Sequence, residues 1–267
     1  MSAQLPLPAP PLPGAGEHWA LFLDVDGTLL DVAHRPDQVL VDTRLRDLLD
    51  DLFGTLDGAL ALVSGRSLDD LDDLFGHPPW AMAGLHGLEL RGADGSYRGV
   101  HIGAARRSLV REFATTVAAG LPGVLVEDKG MAVALHCRSA PEQFQALRAS
   151  VEALLPSLAG YDMQLGSMLI ELKPQGMDKG TAIAHLLAHW PFHGRLPVYV
   201  GDDLTDEHGF ATVNLESGLS VRVGGRGPSV AHYALPEPAS TRAWLVRVLL
   251  ALKHGALSRA DYSRGHA

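Results

Sequence analysis

The apolar positions of this chain fall into two rhythms. Short unbroken apolar runs at residues 20–23, 59–63 and 197–200 read as buried strands, and residues 219–223 as a further strand. Between them lie stretches with apolar residues three or four apart. Leu45, Leu48, Leu49, Leu52 and Leu56 share one stripe of a helix over about residues 42–56. Leu68, Leu71 and Leu74 make the inner face of a shorter helix, and Trp244, Leu245, Val248, Leu249 and Leu252 that of a closing helix over 239–253. Asp178-Lys179-Gly180 opens another helix, running to about residue 189, and Thr205 starts a short one. Residues 80–90 are strand-like but broken by glycines, and Ala93-Asp94-Gly95-Ser96 suits a hairpin turn. Strands alternating with helices predict an α/β fold, a parallel sheet with helices against it.

The rhythm changes over residues 103–173. There the spacing predicts a helix (104–119), two strands (124–127 and 131–137), a helix (142–154) and two more strands (162–165 and 168–172). This order makes a small open-faced α/β layer, expected as a second domain inserted into a core of residues 16–102 and 174–267. Residues 1–15 carry five prolines and no periodic apolar face, so they are expected as a flexible Pro-rich tail. They lack the basic start and continuous apolar stretch of a secretory signal.

Composition narrows the function classes. The 267 residues are 46% apolar and 20% charged, enough to fill a core and unlike a disordered chain. A formal charge of −9 argues against a nucleic-acid partner, though it leaves room for a local basic pocket. Cys137 is the only cysteine, so no intramolecular disulfide can form, which fits a cytoplasmic location. No apolar run has the length of a membrane span.

Candidate chemistry sits where strands end. The first strand runs into Asp24-Val25-Asp26-Gly27-Thr28. In open parallel sheets, ligands gather at the carboxyl ends of strands. Two carboxylates there can hold a divalent cation or divide nucleophile and acid/base roles; alternatively they cap a strand and start a turn. A calcium loop is excluded, because no glutamate follows at the required offset. Three further places carry polar groups: Ser64-Gly65-Arg66 after the second strand, Lys179 at a helix start, and Gly201-Asp202-Asp203 after the 197–200 strand. Carboxylates, a hydroxyl and an ammonium in one crevice match phosphoryl transfer. Each also has a plain structural reading. Ser64 suits a helix cap and Arg66 suits a surface pair with Asp69 or Asp70. A cation such as Lys179 is mildly misplaced at a helix N-terminus, which favours a functional role.

These stretches resemble the motifs of the haloacid dehalogenase (HAD) superfamily of aspartate-nucleophile phosphatases. More closely, the chain resembles the trehalose-6-phosphate phosphatase family, through Gly84-Leu85-His86-Gly87-Leu88-Glu89, Glu127-Asp128-Lys129-Gly130, His136-Cys137-Arg138, Glu171-Leu172-Lys173-Pro174-Gln175-Gly176 and Asp202-Asp203-Leu204-Thr205-Asp206-Glu207. The motifs occur in family order over about residues 20–225. The resemblance implies a Rossmann-like hydrolase core with an α/β cap, and a magnesium-dependent phosphoric monoester hydrolase. It makes Asp24 the nucleophile and Asp26 the general acid and base. Ser64 and Lys179 would hold phosphate oxygens. Asp24, Asp202, Asp203 and the Asp26 carbonyl form the expected metal set, with Asp203 and Asp206 acting on the ion's waters. Gly65, Arg66, His86, Gly87, Glu127, Lys129, Arg138 and Glu171 form the expected substrate set.

The expected reaction is hydrolysis of trehalose 6-phosphate to trehalose and phosphate by a cytoplasmic monomer, with no nucleic-acid or membrane partner. The alternatives are a related phosphatase acting on sucrose phosphate or mannosylglycerate phosphate, and a non-catalytic sugar-phosphate-binding domain.

Overall fold

The computed structural model describes residues 7–32, 40–100, 102–166, 168–225 and 227–264. The core begins with β1 (Trp19–Leu23), α1 (Thr43–Thr55), β2 (Leu60–Val63), α2 (Leu68–Phe75), β3 (Ala81–Gly84), β4 (Glu89–Arg91) and β5 (Tyr97–Gly99). The insertion follows as α3 (Ala104–Ala119), β6 (Leu125–Asp128), β7 (Val133–His136), α4 (Phe144–Leu154), β8 (Tyr161–Gly166) and β9 (Leu169–Pro174). The core resumes with α5 (Lys179–Leu187), β10 (Leu196–Gly201), α6 (Glu207–Leu215), β11 (Leu219–Val223), β12 (Tyr233–Leu235) and α7 (Pro238–Arg264).

Eight strands form one sheet in the order β12-β11-β10-β1-β2-β3-β4-β5. From β12 to β3 all neighbours are parallel, and β4 and β5 turn back antiparallel. The chain steps from β1 to β2 one way across the sheet and from β10 to β11 the other way. Right-handed crossovers therefore place α1 and α6 on opposite faces. Helices α1 and α7 pack together, as do α5 and α6. With both faces covered, β1 and β2 are buried along their whole length, which is why they read as unbroken apolar runs. Trp19, Phe22, Phe192, Phe210 and the leucines of α1 fill this core. The carboxyl ends of β1, β2 and β10 open side by side at the direction-reversal of the sheet, where an α/β crevice forms.

The insertion is an antiparallel sheet, β6-β7-β9-β8, with its own core. Val110 and Ala114 of α3 and Leu147 and Val151 of α4 pack against Val133, Leu135, Ile170 and Leu172. Alternation along β9 sends Ile170 and Leu172 into that core and turns Glu171 the other way, towards the strand ends of the larger sheet. This is the architecture expected, a Rossmann-like core carrying an α/β cap. Among the described residues no helix is long and apolar enough to cross a membrane.

Three local expectations change. The inner face of α2 closes on Phe75, while Leu74 is only half-buried. Strand β12, three residues long and followed by Pro236, carries too little pattern to be read. The closing helix runs past residue 253, because one glycine, Gly255, weakens a helix without ending it. The tail also differs from a free segment. The Pro8 carbonyl accepts from Ala234 N at 2.9 Å and the Pro11 carbonyl from Trp244 Nε1 at 3.1 Å. Leu7 and Leu12 pack on the core. Proline cannot donate, but its carbonyl accepts, and a pre-extended chain loses little entropy on docking. Residues 1–6 lie outside the described residues.

Candidate active site

Asp24 follows β1 directly and is almost fully buried. Its Oδ1 accepts from Lys179 Nζ at 2.7 Å and its Oδ2 from Thr28 Oγ1 at 3.1 Å. Gly27 allows the turn between them: its φ is +81°, and a Cβ there would come within 2.1 Å of Asp202 Oδ2. Lys179 opens α5, whose N-terminus is capped by Asp178 in a reciprocal box with Thr181. That leaves the lysine free to turn inward, between Asp24 and Asp206, with Nζ 2.6 Å from Asp206 Oδ1. Asp206 is completely buried and saturated. Its Oδ1 also accepts from the Tyr199 hydroxyl, and its Oδ2 accepts from the backbone N–H groups of Asp202 and Asp203, each at 2.9 Å.

The electrostatics follow from burial. Desolvation pushes Asp24 up to about 7, with Lys179 working against it and Asp206 with it. Desolvation, then the charges of Asp24 and Asp206, push Asp202 up to about 9. Burial opposes the charge on Lys179, but Asp206 and Asp24 outweigh it and hold the ammonium above its ordinary value. Burial and the Asp206 carboxylate hold the Tyr199 phenol well above its ordinary value, so it stays a donor.

Carboxylate oxygens of Asp24, Asp202 and Asp206 lie within 4.8 Å of one another. Three carboxylates here face one ammonium. Among the described residues no hydrogen-bond donor reaches the largely buried Asp202 carboxylate. An all-oxygen, under-neutralised cluster fits a hard divalent cation. Asp203 stands outside it: its Oδ1 accepts from Leu204 N at 2.7 Å and starts the next turn. Asp206, expected to act only on the ion's waters, supplies an oxygen of the cluster while its lone pairs go to four donors.

The Asp26 carboxylate is turned away from the cluster. Arg66 holds it with two parallel bonds of 2.7 Å. Arg66 thus grips the expected acid/base, forty positions away. Ser64 is buried, and its Oγ accepts from Arg66 N at 3.2 Å. It is not the cap of α2; Ser67 is, paired with Asp70.

The cap closes over the other side. Lys129 Nζ donates to the Gly65 carbonyl at 3.1 Å and to Glu171 Oε1 at 3.2 Å. His86 Nε2 stands 2.7 Å from Glu171 Oε2. Burial opposes ionisation of Glu171, but Lys129 and His86 outweigh it and hold the carboxyl well below its usual range. Burial keeps His86 below its ordinary value, against the pull of Glu171. Glu127 accepts from His136 at 2.7 Å, the main reason its carboxyl lies below the usual range. Arg138 lies exposed on the turn after β7. Gly87 packs under the site: with φ +99°, a Cβ there would meet the Asp178 carbonyl at 2.9 Å. The structure thus unites Asp24, Lys179 and Asp202, joins Asp26 to Arg66, and gathers Gly65, His86, Lys129 and Glu171. Thr28 and Tyr199 were not anticipated. Thr28 was legible in principle, four positions beyond Asp24 in a tight turn; Tyr199 looked like apolar strand filling.

Comparison with known proteins decides the family. The family model described as trehalose-phosphatase matches residues 22–239. The chain belongs to the trehalose-phosphatase family. It shares its fold with a haloacid dehalogenase-like hydrolase from Bacteroides thetaiotaomicron, with a TM-score of 0.61, 15% identity, and coverage of 87% of this chain and 99% of that one. This trehalose-phosphatase family member is 39% identical over 241 residues to the trehalose-6-phosphate phosphatase of Escherichia coli, covering 90% of each chain. It is 44% identical over 238 residues to a probable trehalose-phosphate phosphatase of Sinorhizobium fredii, covering 88% of this chain and 89% of that one. The C-terminal domain of trehalose-6-phosphate phosphatase from C. albicans shares the fold, with a TM-score of 0.77, 21% identity, and coverage of 87% of this chain and 92% of that one.

Proposed function

We propose that this chain hydrolyses trehalose 6-phosphate to trehalose and phosphate through an aspartyl-phosphate on Asp24. The observation that carries the reading is the buried Asp24 carboxylate, aimed by Thr28 and Lys179 at the mouth of a parallel sheet. An oxygen of Asp24 attacks phosphorus as the bond to the sugar oxygen breaks, and Asp26 gives that oxygen its proton. Water then attacks the same phosphorus, Asp26 takes the water's proton, and Asp24 is released with free phosphate. Arg66 holds the Asp26 carboxylate by two hydrogen bonds in the substrate-free site. A phosphate dianion arriving beside Ser64 competes for the guanidinium and releases Asp26 to turn towards the leaving oxygen. Lys179 and Ser64 bind the phosphoryl oxygens as charge grows on them.

Asp24 and Asp202, with the Asp26 carbonyl, would hold magnesium, which when bound neutralises phosphate charge and orients the phosphoryl group. Glu171, Lys129, His86 and Glu127 bind the sugar hydroxyls, exchanging their present contacts with one another for contacts to the disaccharide. The test is phosphate release across trehalose 6-phosphate, sucrose phosphate and mannosylglycerate phosphate. Clear preference for trehalose 6-phosphate is expected. Preference for another sugar phosphate would overturn the substrate, and no turnover of any with magnesium present would overturn the enzyme.

A further inference from the structure

Tyr199 is a buried polar side chain beside the reacting groups that the proposed chemistry does not use. It lies in β10, completely buried, with its ring 5.5 Å from that of Phe210. Helix α6 makes room for it: a Cβ on Gly209 would come within 2.3 Å of the tyrosine ring. The surroundings of the ring are apolar, so phenylalanine would fill the same space. What the tyrosine adds is a hydroxyl, and that hydroxyl donates to Asp206 Oδ1.

The same oxygen accepts from Lys179 Nζ, which also donates to Asp24 Oδ1, at 2.6 and 2.7 Å respectively. The other oxygen of Asp206 is pinned by two backbone N–H groups. Asp206 therefore cannot move, and the strength of its hold on Lys179 depends on how many donors share Oδ1. From this geometry we infer that Tyr199 is a positioning residue for phosphoryl transfer. By taking part of the Asp206 Oδ1 charge, it keeps the Lys179 ammonium shared with Asp24 and available to the phosphoryl group. Without the hydroxyl, Lys179 is the sole donor to that oxygen and is drawn towards Asp206. The developing charge at phosphorus then loses part of its cation, whereas the contacts made to the sugar are untouched. This inference rests on the proposed roles of Asp24 and Lys179.

The test is Tyr199→Phe in the full chain with magnesium, assayed on trehalose 6-phosphate and on para-nitrophenyl phosphate. Turnover is read per folded molecule, well below the melting point of each protein. A fall in kcat of about tenfold on both substrates is expected, the scale of one hydrogen bond to a charged group, with KM for trehalose 6-phosphate nearly unchanged. In an Asp206→Asn background, the same substitution should cost little more, because the tyrosine acts through Asp206. Near-parental kcat in Tyr199→Phe would overturn the inference, whatever happens to the melting temperature. So would a full, additive loss in the Asp206→Asn background. If the parent turns over the aryl phosphate but not trehalose 6-phosphate, the proposed substrate fails, and the aryl phosphate comparison still decides the role of Tyr199.

Discussion

The strand-end crevice of the core and the inner face of the cap are built on opposite principles. In the crevice, Asp24, Ser64, Lys179 and Asp206 are all buried, and each is held by partners from within the core. On the cap, Glu127 is over a third exposed at its side chain, and Arg138 is exposed. Glu171 is buried only where the cap meets the core, against His86 and Lys129. The chemistry is thus preassembled along one sheet edge, where fixed charges need no reorganisation as the reaction proceeds. The proposed sugar contacts, by contrast, gather where the cap meets the core. A disaccharide that replaces the Lys129–Glu171–His86 contacts can link binding to closure of the cap.

The comparison can be broken at either end. The largest effect belongs to the core. Asp24→Asn keeps the shape of the site but removes the nucleophile, so turnover of both sugar and aryl phosphates should fall on the order of a thousandfold or more. Circular dichroism should stay parental; a folded variant with near-native rates would contradict the mechanism.

The next effect concerns pH. Asp24 and Asp202 have folded values of about 7 and about 9, above the ordinary 3.8. Raised carboxyls stabilise the fold while protonated and lose that contribution as pH rises through their folded values. Metal-free protein should therefore lose stability between about pH 5 and about pH 9. Magnesium should raise the melting temperature more at the upper end than at the lower. Melting curves in chelator and in magnesium across this range check it; a magnesium effect independent of pH would contradict it.

The smallest effect lies outside both regions. Deleting residues 7–13 removes the Pro8 and Pro11 hydrogen bonds and the packing of Leu7 and Leu12. A loss of about 2–4 kcal/mol in unfolding free energy is expected, with kcat unchanged. Unchanged denaturant midpoints would show that the segment is a passive tail.

The core was legible because its central strands are covered on both faces and announce themselves as continuous apolar runs. The cap was legible because its helices and strands keep separate periods. What stayed hidden depends on three-dimensional turns rather than on residue type. Asp203 and Asp206 are chemically identical in sequence, yet the turn after β10 sends one to a cap and the other into the carboxylate cluster. Arg66 and Asp26 lie forty positions apart, so no local spacing joins them. Docking of the proline segment needed the surfaces of β12 and α7, one of which was too short to be seen.

The central claim is that the core performs the chemistry while the cap chooses the sugar. Lys129→Ala tests it most directly, because Lys129 belongs to the cap yet reaches the core at Gly65. The measurement is kcat/KM for trehalose 6-phosphate and for para-nitrophenyl phosphate with the same preparation. Losing one buried charged partner should cost about 2–3 kcal/mol on the disaccharide, roughly a hundredfold, and leave the aryl phosphate within about threefold of the parent. Equal losses on both substrates would place Lys129 in the fold or the chemistry and contradict the division of labour.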